Sequence, residues 1–172
     1  AFIKQRPYDV IANPDVKPKA IFISALTTAP LSADYDFTLL GKEKELQAAV
    51  TAFSKLTDGK VNVSVGENSK SVFEGLNDIT VHKMSGVHPA GNVGTLINKV
   101  DPVNKGEVVW TVTPQDLVII GTLFLTGKFN AKRVIALSGS SLKNPKYYTA
   151  KIGAEVSTFI YDSGLNEENV RV

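Results

Sequence analysis

The sequence predicts an α/β fold, with a largely parallel sheet and helices on both of its faces. Short apolar runs, typical of strands buried on both faces, alternate with helix-like segments through residues 20–137. Chains that alternate in this way build parallel sheets through right-handed crossovers. The length of 172 residues and the apolar content of 43% suffice for a core of this kind.

The first half of the alternation follows an extended segment over residues 1–18, where three prolines disfavour regular structure. The apolar run Ala20–Ser24 predicts the first strand. Apolar side chains at helical spacing over Leu46–Leu56 then predict an amphipathic helix. Three shorter elements are predicted next: a strand at Val61–Val65, a short helix at Ser69–Leu76 and a strand at Ile79–Met84.

The second half begins with a helix over Asn92–Val100. Asp101 ends it, because a residue that precedes a proline is disfavoured in helical geometry. Apolar, β-branched runs at Val108–Val112 and Arg133–Leu137 predict two further buried strands.

The helix between these two strands carries clear boundary signals. Thr113 is suited to cap its start, Pro114 to its first position, and Asp116 to the positive end of the helix dipole. The helix is apolar nearly all round, which predicts burial. Gly121 inside it costs about 1 kcal/mol relative to alanine and therefore predicts close backbone packing, while Gly127 suits the far cap.

Residues beyond Pro145 no longer continue the alternation of buried strands and helices. They predict a strand at Tyr147–Ile152, a helix at Ala154–Tyr161 and a strand at Asn169–Val172. We therefore expect residues 1–147 to form the main domain and residues 148–172 to begin a second small domain. The absence of an initiator methionine and the strand-like end predict a piece cut from a longer polypeptide.

Composition excludes several chemistries. The chain has no cysteine, so it lacks thiol nucleophiles and cysteine ligands for zinc or iron–sulfur clusters. Its two histidines are too few for a multi-histidine metal site. The longest apolar stretch, Leu117–Leu125, is far shorter than the roughly 20 residues that span a bilayer. We expect a chain without a metal, a catalytic residue or a membrane span of its own.

The most concentrated site signal is the loop between the third strand and the next helix. Parallel sheets bind ligands at this side of the strands. Glycine amides, a hydroxyl and an imidazole are groups that hold an anion or a carbonyl; here they come from His88, Gly91, Asn92, Gly94 and Thr95. The alternative is a rigid turn in which the glycines permit tight packing.

The architecture is Rossmann-like, but the dinucleotide chemistry of that fold has no support. Nucleotide-binding Rossmann domains place a glycine-rich turn directly after the first strand. Here that strand is followed by Ala25–Pro30, which contains no glycine, and neither GxGxxG nor GxxxxGK[ST] occurs.

The net charge of +2 conceals a basic segment, residues 128–151, with six basic side chains and no acidic one. Such a segment suits an acidic protein partner or lipid head groups. The alternative is an ordinary solvated face. No nucleic-acid partner is expected, because no binding motif accompanies the charge.

The order and spacing of several segments resemble the A subunit of the sodium-translocating NADH:quinone reductase. The segments are Pro18–Ile23, Leu56–Val61, Val87–Ile97, Asp101–Val103, Val109–Trp110, Gln115–Asp116 and Ile120–Gly121. The resemblance implies a peripheral subunit on the cytoplasmic side of the bacterial inner membrane, bound to other subunits of a complex that passes electrons from NADH to ubiquinone and exports Na⁺.

Within that complex the resemblance places the flavins and the 2Fe-2S cluster on other subunits, so no cofactor is expected on this chain. It also implies that residues 1–147 are a Rossmann-like middle domain and that residues 148–172 begin a β-grasp-like (SLBB) domain. The expected role is a scaffold or a quinone-associated subunit without its own redox centre.

The family is also similar in fold to the flavin-binding subunit of respiratory complex I and to the C subunit of the Rnf complex. Glycine-rich loops hold FMN and NADH in the complex I relative, and the loop from His88 to Thr95 resembles one of them. The alternative function is therefore a flavin- or nicotinamide-binding electron-transfer domain.

Overall fold

Four neighbouring strands form a parallel sheet, and two short antiparallel strands extend one edge of it. The computed structural model describes residues 2–171. The spatial order of the strands is β2-β1-β6-β3-β4-β5. Their bounds are Lys4–Arg6 (β1), Val10–Ile11 (β2), Ile21–Ser24 (β3), Val61–Gly66 (β4), Thr80–Met84 (β5) and Val109–Thr111 (β6). Because β3 pairs in parallel with both β4 and β6, it lies at the centre of the sheet.

Helices cover both faces of this sheet, as the sequence predicts. They are α1 (Tyr35–Thr38), α2 (Glu43–Ser54), α3 (Val93–Val100) and α4 (Pro114–Thr126). Ile21 and Ile23 of β3 face the core that contains α2 and α4, whereas Phe22, between them, packs with Leu96 and Ile97 of α3. The alternation of side chains along β3 therefore divides the core into two layers.

Helix α4 begins and ends as predicted. The Thr113 hydroxyl caps it by accepting from the Asp116 amide, and Pro114 occupies its first turn. At the other end Gly127 has a φ of +68° and its amide donates to the Leu123 carbonyl. Within the part of the chain that the structure describes, no helix is long and apolar enough to cross a membrane.

Gly121 lies where α4 crosses α2. A Cβ atom at this position would stand 1.7 Å from the Glu45 carbonyl oxygen and 2.5 Å from its carbonyl carbon. The two backbones are therefore in direct contact, which confirms the close packing predicted from this glycine. Leu46 and Val50 of α2 are buried in the same core cluster as Leu117 of α4.

The chain divides into two compact units. The first contains the chain up to Ala29 together with Asp34–Asn130, and the second contains Pro30–Ala33 and the chain from Ala131 onward. In the second unit, β7 (Lys132–Leu137) pairs antiparallel with β8 (Lys146–Lys151), and α5 (Val156–Ser163) follows. Tyr148 of β8 stacks against Phe159 of α5 with ring centroids 5.1 Å apart.

This division corrects two expectations. The strand predicted at Arg133–Leu137 does not join the parallel sheet but forms a hairpin with β8. The second unit therefore begins near residue 131 and not at residue 148. The burial predicted for this strand is also wrong, because the residues of β7 are only partly buried or exposed. An apolar run indicates a strand but not which sheet it joins, since pairing partners lie far away in sequence.

Three local predictions also differ from the structure. The segment 1–18 is not simply extended, because β1 and β2 form an antiparallel hairpin there and β1 pairs with β6. The helix predicted at Ser69–Leu76 shrinks to one 3₁₀ turn, Val72–Gly75. No strand forms over residues 169–171, and Val172 lies outside the described residues. Helix α1 had no prediction.

His82 of β5 makes the stability of the first unit depend on pH. Its Nε2 lies 3.0 Å from the Oδ1 atom of the buried Asn62. Burial, and secondarily the charge of Lys60, holds the pKa of His82 below its usual value of 6.5. The unfolded chain therefore binds this proton more readily than the folded one, and the free energy of unfolding falls as pH drops below about 6.5.

We expect His82→Gln to reduce this loss of stability between pH 7.5 and pH 5.5. Urea unfolding of both proteins at the two pH values measures it, and the comparison cancels the contribution of the other titrating groups. An unchanged difference between the two pH values would show that His82 does not titrate as described.

Candidate functional site

A topological switch point lies between the carboxyl ends of β3 and β6. The chain moves outward from β3 to β4 and β5, and then returns to the opposite side of β3 as β6. The strand order therefore reverses between β3 and β6. Crevices at the carboxyl ends of strands where the order reverses are the usual ligand sites of open α/β sheets. A cavity of about 400 Å³ opens at this point.

The cavity has apolar walls and a few polar groups. Its lining side chains come from the first strand hairpin, both central strands, and helices α1, α3 and α4: Phe2, Lys4, Asp9, Ser24, Tyr35, Val93, Thr111, Val112, Thr113, Pro114 and Asp116. The volume and the mostly apolar lining are typical of small-molecule pockets. We call this space the switch-point cavity.

One ammonium and two carboxylates line the switch-point cavity. Lys4 supplies the ammonium. The Asp9 carboxylate pairs with Arg6 at 3.4 Å, and the Asp116 carboxylate accepts from the Thr113 hydroxyl at 2.7 Å. The lining residues are therefore slightly negative in sum, while Lys4 and the phenol of Tyr35 are the groups suited to donate to a ligand oxygen.

The start of α4 lies at the same cavity but has little to offer an anion. Pro114 has no amide hydrogen, and the Asp116 amide donates to the Thr113 hydroxyl at 3.2 Å. The Asp116 carboxylate adds a negative charge within the first turn. A phosphate at this helix start would meet a carboxylate instead of a row of open amides.

Ser24 joins the switch-point cavity to the loop predicted from the sequence. Its hydroxyl donates to the Gly91 carbonyl at 2.6 Å and lies 3.1 Å from the hydroxyl of Ser64 in β4. The Gly91 amide donates to the Thr28 hydroxyl at 2.9 Å. The loop is thus held to the segment after β3 from both sides of Gly91.

The remaining predicted residues make contacts within the loop or with Thr28. The Thr95 hydroxyl donates to the Pro89 carbonyl, and the amides of Asn92 and Thr95 donate to the Pro89 and Asn92 carbonyls. His88 Nδ1 lies 3.4 Å from the Thr28 hydroxyl. These contacts describe a turn held by its own hydrogen bonds. A ligand or subunit contact through the loop stays a prediction.

Glycine at position 91 is required by packing. A Cβ atom there would lie 2.5 Å from the Leu26 carbonyl oxygen and 2.9 Å from the Thr28 amide nitrogen. At Gly94 a Cβ atom would meet only the Arg6 guanidinium, at 3.4 Å. Gly94, Arg6 and Asn92 line a second, shallower cavity of about 450 Å³ at the start of α3.

Sequence reasoning found the loop but missed the switch-point cavity. Lys4 lies in a segment that was expected to be merely extended, and Tyr35 begins a helix of four residues. The available signals were Ser24 at the end of the first buried strand and the Thr113-Pro114 helix start after another. Their proximity depends on the strand order, which no local pattern encodes.

Comparisons with known proteins identify the family. Residues 1–129 match the family model described as the NqrA second alpha/beta domain. Residues 134–172 match the model described as the NQRA C-terminal domain. The change from one model to the next coincides with the division between the two units at residue 131.

Three relatives are each named as the A subunit of a Na(+)-translocating NADH-quinone reductase. The protein of Neisseria meningitidis serogroup B is 36% identical over 167 residues, which cover 97% of this chain and 37% of the relative. The proteins of Cellvibrio japonicus and Alcanivorax borkumensis are each 37% identical over 153 and 157 residues, which cover 89% and 91% of this chain and 34% and 35% of the relatives. The chain thus spans little more than a third of the length of these relatives. It belongs to the NqrA family, the A subunits of the Na⁺-translocating NADH-quinone reductases.

Proposed function

We propose that this chain is part of an NqrA protein that assembles with other subunits of a sodium-translocating NADH-quinone reductase, and that its switch-point cavity holds a quinone ring. In this proposal the chain lies on the cytoplasmic side of the bacterial inner membrane and is peripheral to it. The complex couples electron transfer from NADH to quinone with Na⁺ export. The chain is a scaffold with a quinone-associated site and has no redox centre of its own.

The composition of the switch-point cavity carries this proposal. A quinone ring is flat, apolar and neutral, with two carbonyl oxygens that accept hydrogen bonds. Phe2, Val93 and Val112 offer apolar walls, while Lys4 and Tyr35 offer donors. The pyrophosphate of NADH or the phosphate of FMN would meet the carboxylates of the same lining, which the single ammonium does not offset.

The loop of residues 88–95 supports the same choice. Loops that cradle phosphates leave consecutive amides open toward the ligand. Here the amides of Ala90, Gly91 and Asn92 donate to Val87, Thr28 and Pro89 respectively. The sequence of the chain also lacks cysteine, the usual ligand of a 2Fe-2S cluster. Both observations favour flavins, cluster and NADH on partner subunits.

The finer fold assignments belong to the same proposal. The parallel order β6-β3-β4-β5 with helices on both faces favours a Rossmann-like variant for the first unit. The hairpin of β7 and β8, followed by α5, is the arrangement expected at the beginning of a β-grasp-like domain.

Titration of the purified chain with a short-chain ubiquinone, FMN and NADH tests this proposal. Quenching of Trp110 fluorescence, or calorimetry, reports binding. We expect saturable binding of the quinone in the micromolar range and none of FMN or NADH at the same concentrations. Saturable binding of FMN or NADH would contradict it, and would favour an electron-transfer domain of the complex I or Rnf type.

A further inference from the structure

The carboxyl-terminal end of α4 and the residues after it carry an exposed apolar surface, the α4 tip, defined as Leu123–Phe129. Exposed fractions are 44% for Leu123, 65% for Phe124, 54% for Leu125 and 58% for Phe129. The Phe129 ring stacks on Phe2 with centroids 6.0 Å apart, which orders it without covering it. Exposed apolar clusters of this kind mark interaction sites.

The exposure of the α4 tip extends around the helix. Leu123, Phe124 and Leu125 are consecutive, and successive helical residues are about 100° apart, so their side chains span roughly 200° of arc. A protein partner normally covers one stripe of a helix, about 100° wide. A convex end that is apolar over twice that arc suits insertion into a fluid layer better than packing against one rigid face.

The charge of the α4 tip favours contact with a negatively charged lipid layer. The α4 tip contains one charged residue, the basic Lys128, and no acidic residue. The Lys128 side chain is exposed. Long basic side chains beside aromatic and aliphatic ones are typical of segments that bind the interface of anionic membranes.

We propose that the α4 tip inserts into the head-group region of an anionic lipid bilayer. Phe124, Leu125 and Phe129 enter the boundary between head groups and acyl chains, and Lys128 pairs with lipid phosphates. This proposal rests on the proposed function in one respect, since a sodium-translocating complex is embedded in a membrane and places its subunits beside lipid. It adds a direct lipid contact to an attachment through partner subunits.

Flotation of the purified chain with lipid vesicles, in the absence of quinone, tests the proposal. We expect binding to equimolar phosphatidylglycerol and phosphatidylcholine and about fivefold weaker binding to phosphatidylcholine alone, because one lysine near an anionic surface contributes about 1 kcal/mol. Phe124→Ser with Phe129→Ser should weaken binding to the anionic vesicles about tenfold or more. Tyr161→Ser is the matched control, because Tyr161 is 92% exposed on α5 and lies outside the tip.

Three outcomes would overturn the proposal: no flotation with either vesicle, flotation that the paired tip substitution leaves unchanged, or equal binding to both vesicles. A chain that dimerises through the tip, with a mass that Phe124→Ser returns to that of the monomer and with no flotation, would assign the tip to a second copy instead. Because quinone is omitted, failure of flotation is distinguishable from failure of the quinone site, which the titration measures separately.

Discussion

Replacing Gly121 with alanine is expected to destabilise the first unit by about 2–3 kcal/mol, lowering its Tm by roughly 5–10 °C. Two effects oppose each other at this position. Alanine is favoured over glycine inside a helix by about 1 kcal/mol. Its Cβ would however stand 1.7 Å from the Glu45 carbonyl oxygen, which is backbone and cannot rotate away. The helices α2 and α4 must separate, so the steric term outweighs the gain in propensity.

Thermal unfolding monitored by circular dichroism measures this effect. Gly75→Ala is the matched control, because a Cβ at Gly75 meets no atom within 4 Å. We expect the control to retain the Tm of the parent within a few degrees. A Tm of Gly121→Ala equal to or above that of the parent would mean that α2 and α4 do not cross at this glycine.

Filling the switch-point cavity with Val93→Trp is expected to weaken quinone binding at least about tenfold. Val93 lies in the first turn of α3 and lines the cavity, so an indole in its place occupies much of the space of about 400 Å³. The fold should survive, because Val93 is only partly buried. The loss would therefore reflect occupied volume and not unfolding.

Two further variants identify what the cavity contributes. Lys4→Met removes the ammonium donor while keeping the length of the side chain, and we expect a smaller loss, about fivefold. Gly94→Ala changes the neighbouring cavity near Arg6 and should leave quinone affinity within about twofold of the parent. If Val93→Trp and the parent bind quinone with equal affinity, quinone does not bind in the switch-point cavity.

Local signals predicted the first unit well, because its elements carry strong patterns. The buried run that became β3, the helical spacing of α2, and the Thr113-Pro114 start and Gly127 end of α4 all depend on residues close in sequence. The N-terminal hairpin was missed because Lys4–Arg6 is polar and pairs with β6, about a hundred residues away. Non-local pairing also explains why β7 was assigned to the wrong sheet.

The candidate site was predictable only in part for the same reason. Glycines mark the loop of residues 88–95. A glycine, however, can allow either the close approach of a ligand or the tight packing of the backbone. At Gly91 packing accounts for the residue, because the Leu26 carbonyl occupies the space of a side chain. The switch-point cavity arises from the order of the strands. That order places Lys4, Tyr35 and Ser24 in one lining, and no sequence motif encodes the arrangement.

The most direct test of a quinone site at the switch point is a methyl NMR titration of the chain with a short-chain ubiquinone. We predict saturable shifts at Val93, Val112, Thr111 and Thr113, which line the cavity. Methyl groups at the opposite edge of the sheet, such as those of Val61 at the start of β4 and Ile79 just before β5, should not move. Shifts confined to the α4 tip, or the absence of saturable shifts at the cavity methyls, would contradict a quinone site at the switch point.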